Sequence, residues 1–404
     1  MPAPASQPAD VSGSPAHAVH ETILYNFRGR PDGWDPDAGL VFDNSGALYG
    51  TTLIGGKCSG FYYGCGTVFK LTPSGSHYVE SVIYRFAGGN DGEAPAAPVV
   101  VDSSGRVFGT TYAGGGSEGR GTVFMLTPSG SGYAETVIHS FSGYPRDGTN
   151  PFSGLAIDRA GNIFGTAQTG GSHDAGVVFE LSPSGSGYTE TIVHNFGGPG
   201  DGSIPMAAVT LGTHGVIYGV AGAIFKLTPS GSGYAESILY RLRGGIDGKD
   251  TTGTLLLGKD GALYGTAQGG GPGKGGTVFR LTPEGSKYAF TVLHHFGIHG
   301  GRFARGAFPQ AGVISDSTGS LYGTTYNGGN WGCSLGGCGV VFKLTPSKKG
   351  YFEEILWSFH NNGDGNLPFG GVVEDSHGTL YGTTGFGGQT AGTHFYGTVF
   401  RITR

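Results

Sequence analysis

An arginine interrupts a motif that the rest of the chain repeats. The sequence Asp-Gly-x-x-Pro occurs five times and Asp-Gly-x-x-Thr once, but the segment GRFARGAFP at 301–309 has Arg305 where the aspartate is expected. A guanidinium group makes a two-point contact with a carboxylate or sulfate. Arg305, with its neighbour Arg302, is therefore a candidate for binding an anionic ligand. The alternative is a partly exposed ion pair with a carboxylate of a neighbouring repeat, such as Asp247 or Asp364, worth about 0–1 kcal/mol.

The repeated aspartates allow two interpretations. They are Asp32, Asp91, Asp147, Asp201, Asp247 and Asp364. In the first, each braces its loop by accepting backbone N–H groups beside a glycine with unusual backbone angles. In the second, they form an acidic ring around a channel mouth. Recurrence in six copies favours the brace. We expect no cofactor, with one open alternative: the segment DGWDPD at 32–37 offers hard oxygen ligands for calcium, although the EF-hand spacing is absent.

The chain consists of seven copies of one unit. The segment G-[T/V/A]-[V/I]-F recurs with its phenylalanine at positions 69, 124, 179, 225, 279, 342 and 400. Within one copy (153–196), four short apolar runs are separated by turn signals, and no helical period competes with them. A unit of about 55 residues with four strands is typical of a propeller blade. The sequence therefore predicts an all-β fold, a seven-bladed β-propeller.

The two ends of the chain predict how the ring closes. The seventh copy stops at GTVFRITR (397–404), before its fourth strand, whereas HETILYNF (20–27) matches the fourth strands of other copies. We therefore expect the N-terminal strand to complete the last blade. Closure of this kind removes the unpaired strand edges that an open array would expose.

The repeat resembles a known family. The pattern LYGTT-x-x-GG…GTVFKLTPSG…Y-x-E-x-x-I-x-x-F is similar to the GloVer-type tandem repeat of bacterial surface and secreted proteins, and it covers residues 20–404. The resemblance implies an extracytoplasmic bacterial protein. It supplies no catalytic residues, because the family has none assigned.

Two recurrent side chains of the fourth strand are interpreted as architecture. The glutamate of Y-x-E occurs as Glu21, Glu80, Glu135, Glu190, Glu236 and Glu353, with Phe290 in the remaining copy. Six such carboxylates cannot all be general acids, so we expect solvated charges on edge strands. His139, His194 and His294 stand where other copies have tyrosine or tryptophan. We expect these histidines to fill an aromatic packing position and not to bind a metal.

Four cysteines fall into two close pairs, Cys58/Cys65 and Cys333/Cys338, each within one glycine-rich loop. Local pairing of an even number of cysteines favours two disulfides and an oxidising compartment. The rival interpretation is a zinc site made from all four. The two pairs belong to different repeats and lack C-x₂₋₄-C spacing, which disfavours zinc.

The residues that differ between blades gather on one face of the propeller. The loops between the second and third strands are longest in blades one, six and seven, which are neighbours in a closed ring. Exposed aromatic rings on these loops would stack on sugars, and binding residues concentrate on loops of rigid scaffolds. The candidate ligand-binding residues are Trp34, Asp35, Tyr62, Tyr63, Trp331, Asp364 and Phe395.

The leading hypothesis is an extracellular glycan-recognising β-propeller, extended to cleavage of an acidic polysaccharide. In a β-eliminating lyase, Arg302 or Arg305 would neutralise the uronate, and the proton-transfer candidates are His299, His394 and Tyr396. A glycoside hydrolase would need two carboxylates about 5–9.5 Å apart. Asp35, Asp37 and Asp364 are available, but the sequence singles out no pair. The alternative is a non-enzymatic module for surface adhesion or protein interaction.

The totals limit partners and location. The net charge of −5, without basic runs, gives no footprint for nucleic acid, and no apolar run reaches the roughly 20 residues that insertion into a membrane requires. Residues 1–16 are expected to be a disordered linker that follows a removed signal peptide, and residues 17–404 to be the propeller. We expect a monomer that is secreted, periplasmic or at the cell surface and has carbohydrate as its partner.

Overall fold

A computed structural model describes residues 19–56, 58, 64–297, 305–329, 333, 336–389 and 395–404. Within them, seven four-stranded antiparallel sheets form the blades of a propeller, which confirms the predicted fold. From first to fourth, the strands of blade one are Val41–Phe42, Leu48–Thr52, Thr67–Ser74 and His77–Arg85, and those of blade two are Val100–Val101, Val107–Thr111, Thr122–Ser129 and Gly132–Ser140. The strands of blade three are Ala156–Ile157, Ile163–Ala167, Val177–Ser184 and Gly187–Asn195, and those of blade four are Thr210–Leu211, Ile217–Val220, Ile224–Ser230 and Gly233–Tyr240.

The remaining blades follow the same plan. The strands of blade five are Leu256–Leu257, Leu263–Ala267, Lys274–Glu284 and Lys287–Gly297, and those of blade six are Ile314–Ser315, Leu321–Thr325, Val340–Ser347 and Gly350–Ser358. The strands of blade seven are Val373–Glu374, Leu380–Thr384, Thr398–Thr403 and His20–Asn26. Two short pairings, Gly33–Trp34 with Ile54–Gly55 and Gly148–Thr149 with Thr169–Gly170, lie in the loops. The 3₁₀ turns Gly89–Asp91 and Thr213–Gly215 are the helical segments of the described residues.

The repeated Tyr-Gly-Thr-Thr of the second strand joins the blades. A Cβ atom on Gly50 would lie 2.5 Å from the ring of Phe69, so glycine lets this fully buried ring pack against the strand. The hydroxyl of Thr51 donates to the carbonyl of Ala97 in the next blade, over 3.0 Å. The corresponding bond between blades seven and one, from Thr383 to Ala38, measures 2.8 Å. The hydrogen bond from the second-strand threonine to the next blade is therefore present between blades seven and one, where the ring closes, as it is between blades one and two.

The N-terminal strand completes blade seven, as expected. His20–Asn26 pairs antiparallel with Thr398–Thr403, and Phe27 is fully buried against Phe69 of blade one. The apolar cores lie between neighbouring blades, since each buried cluster draws its members from two sheets. The loops between second and third strands and between blades share one side of the ring, which we call the loop face.

Both predicted disulfides are present. Cys58 is bonded to Cys65 and Cys333 to Cys338, with Cα–Cα distances of 5.5 and 5.2 Å. They lie in loops of blades one and six on the loop face, and they fit an oxidising compartment. In the part of the chain that the structure describes, no helix is long and apolar enough to cross a membrane.

The recurrent aspartates and glutamates meet at the junctions between blades. At five of the seven junctions, the aspartate of a connecting loop lies against the glutamate of the following fourth strand: Asp32 with Glu80, Asp91 with Glu135, Asp147 with Glu190, Asp201 with Glu236, and Asp364 with Glu21. Asp32 accepts the N–H of Arg28 at 3.0 Å and the hydroxyl of Tyr25 at 2.9 Å. The aspartates are therefore loop braces between outer strands and not a ring at the channel mouth.

The expectation that the glutamates are solvated edge charges is wrong. The Oε1 atom of each glutamate in these five pairs is buried and has no hydrogen-bond donor while both carboxyls are ionised. In the Asp147–Glu190 and Asp201–Glu236 pairs, a proton on the glutamate supplies that donor, because the two carboxyls are hydrogen-bond partners. Burial, together with the adjacent aspartate, raises the pKa of Glu21 and Glu190 to about 8 and that of Glu80 and Glu135 to about 7. The neighbouring blade covers these side chains, which a single repeat cannot reveal.

Candidate functional site

A central channel lies where the first strands of the seven blades meet. Its cavity has a volume of about 560 Å³. One residue from each blade, just after the Asp-Gly-x-x-Pro motif, lines its end on the loop face. These seven residues, which we call the channel mouth, are Asp37, Ala96, Phe152, Met206, Thr252, Gln310 and Phe369. Asp37 is the one charged side chain among the described residues that line the cavity; the rest of the mouth is apolar apart from the neutral polar Thr252 and Gln310.

Asp37 is in contact with a second aspartate, Asp35. Asp35 is 8% exposed, and its N–H donates to the carbonyl of Tyr396 at 3.1 Å. The N–H of Asp37 in turn donates to the carbonyl of Asp35 at 3.0 Å. Asp35 has a φ of 63°, but every blade has a non-glycine residue with positive φ at this position, as Ala94 and Asp250 show. The backbone conformation therefore belongs to the repeat, and only the pair of carboxyls distinguishes blade one.

The two carboxyl groups are placed to share a proton. Oδ1 of Asp35 and Oδ1 of Asp37 are both buried, and neither has a donor while both groups are ionised. Protonation of one group supplies the donor and joins the two by a hydrogen bond. Burial raises the pKa of both aspartates, and the charge of Asp35 raises that of Asp37 further. The pair thus places a carboxylic acid beside a carboxylate at the wall of an apolar cavity.

Gly385, in blade seven, makes room for this pair. A Cβ atom there would lie 2.5 Å from Oδ1 of Asp37 and 2.9 Å from Oδ1 of Asp35. Five other blades have a side chain at this position, namely Leu53, Tyr112, Gln168, Gln268 and Tyr326, and blade four, whose loop is shortened, has Gly222. Comparison of the repeats could have indicated the site from Asp37, the one acidic residue at its repeat position, and Gly385 lies beside it in the closed ring. Asp37 was predicted only as one of three available carboxylates, and Gly385, Tyr326 and Phe369 were not predicted.

Aromatic rings surround the carboxyl pair. Trp34 meets Tyr396 edge to face at 5.3 Å between centroids, and Tyr326 packs on Phe369 at 4.4 Å. Burial raises the pKa of Tyr326, and the charges of Asp37 and Asp35 add to this effect. Phe395 is 47% exposed next to Tyr396. The structure therefore brings together four of the sequence-derived candidates, Trp34, Asp35, Phe395 and Tyr396, in the sector of blades six, seven and one.

Arg305 is held at a blade junction. Its Nε donates to Glu353 Oε2 at 2.6 Å, and its Nη2 donates to the Glu353 carbonyl at 2.9 Å. His294 Nε2 lies 3.4 Å from the other oxygen of Glu353, whose side chain is 4% exposed. Burial alone would raise the pKa of Glu353, but His294 and Arg305 outweigh it and hold that pKa below its usual range. The geometry favours the ion-pair interpretation, with Glu353 in place of the expected Asp247 or Asp364.

Asp364 does not join the group at the mouth. Its carboxylate accepts the N–H of His360 at 3.1 Å and lies in the junction with Glu21. It is a brace like its counterparts in other blades. The candidates His299, Arg302, His394, Tyr62, Tyr63 and Trp331 lie outside the described residues.

Two junctions collect potential metal ligands. The donor atoms of His139, Asp147 and Glu190 lie within 4.8 Å of one another, and so do those of His194, Asp201 and Glu236. A nitrogen and two carboxylates would suit zinc or a similar ion. However, His139 also packs edge-on against Phe141 at 4.7 Å, as Tyr84 packs against Phe86 at 5.1 Å in the previous blade. It fills the expected aromatic position and contacts Asp147 as Tyr84 contacts Asp91. We therefore assign no metal to these junctions.

The fold and the pair at its channel mouth define a closed seven-bladed β-propeller with a candidate binding site on the loop face. The chain belongs to the Gloeobacter/Verrucomicrobia repeat family, whose pattern matches residues 14–221 and 220–404. No curated protein is detectably similar to it.

Solved structures of similar fold are distant in sequence. A protein from Bacteroides uniformis, described as a proposed 6-phosphogluconolactonase, is 13% identical with a TM-score of 0.53, over 79% of this chain and 83% of its own. A protein from Lactobacillus plantarum is 15% identical with a TM-score of 0.51, over 83% of this chain and 95% of its own. At these identities the likeness concerns the fold alone.

Proposed function

We propose that this chain is an extracytoplasmic carbohydrate-binding β-propeller and that its ligand lies at the channel mouth between blades six, seven and one. The observation that carries the proposal is the Asp35–Asp37 pair, which is present in one blade of seven and has space made for it by Gly385. A feature that breaks the repeat where the scaffold does not need it is expected to serve binding. The two disulfides beside this sector support a location outside the cytoplasm.

The chemistry of the mouth suits a sugar. A pair of carboxyl groups with one proton both donates and accepts hydrogen bonds, which matches the mixed donor and acceptor character of hydroxyl groups. The pair carries one negative charge instead of two, so it does not repel a neutral sugar. Phe152, which is 39% exposed, and Phe369 offer flat apolar faces at the same level of the channel. Sites of this kind combine apolar walls with a few placed polar groups.

Binding to a panel of neutral and acidic oligosaccharides, measured by calorimetry, tests the proposal. Asp37→Ala gives blade one the residue that blade two has in Ala96, so folding should be retained while affinity falls at least tenfold. The matched control is Asp250→Ala, which changes an exposed aspartate at the repeat position of Asp35. Equal affinity of the wild type and Asp37→Ala for every bound sugar would refute the location of the site.

Cleavage of an acidic polysaccharide remains a prediction. A lyase would require a free guanidinium for the uronate, and Arg305 is engaged by Glu353, so this role falls to Arg302. Appearance of unsaturated products, followed by ultraviolet absorbance during incubation with uronate polymers, tests this extension. The remaining alternative is a protein-interaction or adhesion module. It is favoured if no sugar in the panel binds.

A further inference from the structure

We propose that Asp35 and Asp37 form an acid–base pair that hydrolyses a carboxylic ester or lactone of a sugar at the channel mouth. The inference rests on the proposed function, because carbohydrate binding is what brings the sugar to the pair. It goes further in assigning a reaction and a bond to be broken.

The separation of the two carboxyl groups selects the type of reaction. Carboxyls that flank a glycosidic bond from opposite sides are about 5 Å or more apart, so that substrate or water fits between them. Asp35 and Asp37 are instead hydrogen-bonded to each other. Two aspartates that share one proton place an acid and a base on the same side of the substrate, as in aspartic proteases, where they act on an acyl carbon. An ester or lactone carbonyl is the corresponding group of a sugar derivative.

The two aspartates have different positions relative to the channel. Asp37 lines the cavity and can touch a substrate, whereas Asp35 is 8% exposed and lies behind it. The Oδ1 atoms of both face the space that Gly385 leaves free. Asp37 is therefore the group that contacts the reacting atoms first. Asp35 exchanges the proton with Asp37 and holds it in place.

The reaction balances without a further reactant. The carboxylate of the pair removes a proton from water, whose oxygen bonds to the carbonyl carbon, while the carboxylic acid gives its proton to the carbonyl oxygen. The resulting diol collapses when the bond from carbon to the ring or alkoxy oxygen breaks. That oxygen takes a proton from the pair, and one diol hydroxyl returns a proton to it. The products are a carboxylic acid and an alcohol, and the pair again holds one proton.

The apolar wall of the mouth preserves this protonation state near neutral pH. Burial raises the pKa of both carboxyls, so a carboxylic acid persists where an exposed aspartate would be ionised. Among the described residues, the titratable side chains near the pair are those of Tyr326, whose own pKa is raised by burial and by the pair, and of Tyr396, whose backbone carbonyl accepts the N–H of Asp35. The rate should therefore have a bell-shaped pH profile, which falls when the pair loses its proton and when it gains a second one.

The experiment measures acid release in a pH-stat from δ-gluconolactone and from acetylated glucose and xylo-oligosaccharides, each corrected for hydrolysis in buffer. The full chain carries Asp37→Asn, Asp35→Asn or, as the control, Asp250→Asn. We expect the first two variants to lose about 10²–10⁴-fold in kcat, as for removal of a general acid or base, and the control to keep the wild-type rate. The thermal unfolding of each variant shows that the propeller is intact.

Binding measured on the same variants separates the two proposals. Asn at position 37 keeps a hydrogen-bonding group, so sugar affinity should fall less than hydrolysis. Sugar binding without hydrolysis of any of these esters or lactones above the buffer rate would overturn the acid–base inference and leave the proposed function standing. If the wild-type chain neither binds any of these sugars nor hydrolyses any of these esters or lactones, both the proposed function and the acid–base inference are overturned. Hydrolysis that is unaffected by Asp37→Asn and lacks the bell-shaped profile would also overturn the inference.

Discussion

At the scale of single residues, the departures from the repeat are informative because each has a structural counterpart. Where Arg305 replaces aspartate, Glu353 is retained and its charge is balanced by the guanidinium. Where Phe290 replaces glutamate, Asp247 is retained; Arg243 Nε donates to it at 2.9 Å, and Tyr240 stacks on Phe290. Both exceptions avoid a second carboxyl in the junction. Arg305 therefore removes the charge repulsion that, at the five regular junctions, raises the pKa of the glutamate and favours its protonated form.

This assignment makes Arg305 a determinant of pH-dependent stability. The pKa of Glu353 is lowered in the folded state, so its ion pair contributes stability above the usual pKa of glutamate and loses it as the pH falls through the folded-state pKa. Arg305→Ala should lower the free energy of unfolding by about 1–2 kcal/mol at pH 7, and by less at acidic pH. Urea unfolding at several pH values measures this difference.

Arg305→Asp provides the complementary test. It restores the common carboxyl pair, so the Glu353 pKa should rise and stability should now improve as the pH falls from 8 to 5. Unchanged stability in both variants, together with loss of ligand affinity, would instead support the anionic-ligand interpretation of Arg305.

At the scale of structural elements, the blade junction is the unit that the sequence did not reveal in full. The repeat predicted four strands per blade and the loop brace, because turn residues and alternating apolar residues are local signals. It did not predict that Glu21 or Glu190 is covered, because the cover comes from the neighbouring blade. For the same reason the Asp35–Asp37 site could not be completed from the sequence: its space depends on Gly385, 348 positions from Asp37 along the chain but adjacent across the closed ring.

The junction pairs predict that stability falls with rising pH. A folded-state pKa of about 8 for Glu190, well above the usual value of 4.5, means that the folded state holds a proton that the unfolded state has lost between these values. The contribution of Glu190 to the free energy of unfolding is therefore complete below about pH 4.5, declines above that pH and is lost once the pH has risen through 8. Glu190→Gln keeps a donor towards Asp147 at every pH. We expect it to raise the free energy of unfolding by about 1 kcal/mol at pH 9 and to change it little at pH 5.

Thermal unfolding across this pH range measures the effect. Glu354→Gln is a suitable control, because Glu354 is an exposed glutamate of a fourth strand that belongs to no junction pair. If Glu190→Gln is no more stable than the wild type at pH 9, the proton-sharing account of the junctions fails.

At the scale of the whole molecule, the ring is closed by contacts that are distant in sequence. The strand His20–Asn26 supplies the outer edge of blade seven, and Thr383 bonds to Ala38 across the closure. The sequence predicted this closure from its ends alone, because an orphan fourth strand at one end complements a missing one at the other. The site between blades six, seven and one depends on it, since Asp37 and Gly385 meet only in the closed ring.

Removal of the closing strand should therefore abolish the fold. Deletion of residues 17–27 removes Ile23, Leu24, Tyr25 and the fully buried Phe27. At roughly 1.5–3 kcal/mol for each large side chain, this loss rivals the 5–15 kcal/mol stability of a typical domain.

The matched control is a circular permutant that begins at Ser186, ends at Gly185 in an exposed turn, and joins Arg404 to Val19 by about six to eight glycine and serine residues. Because His20 pairs with Thr403, a short linker spans the ends, and every strand is retained. We expect the permutant to be monomeric with a cooperative thermal transition near that of the wild type, and the deletion variant to aggregate, as measured by light scattering and circular dichroism. A deletion variant that stays monomeric and melts cooperatively would show that the ring does not need its N-terminal strand.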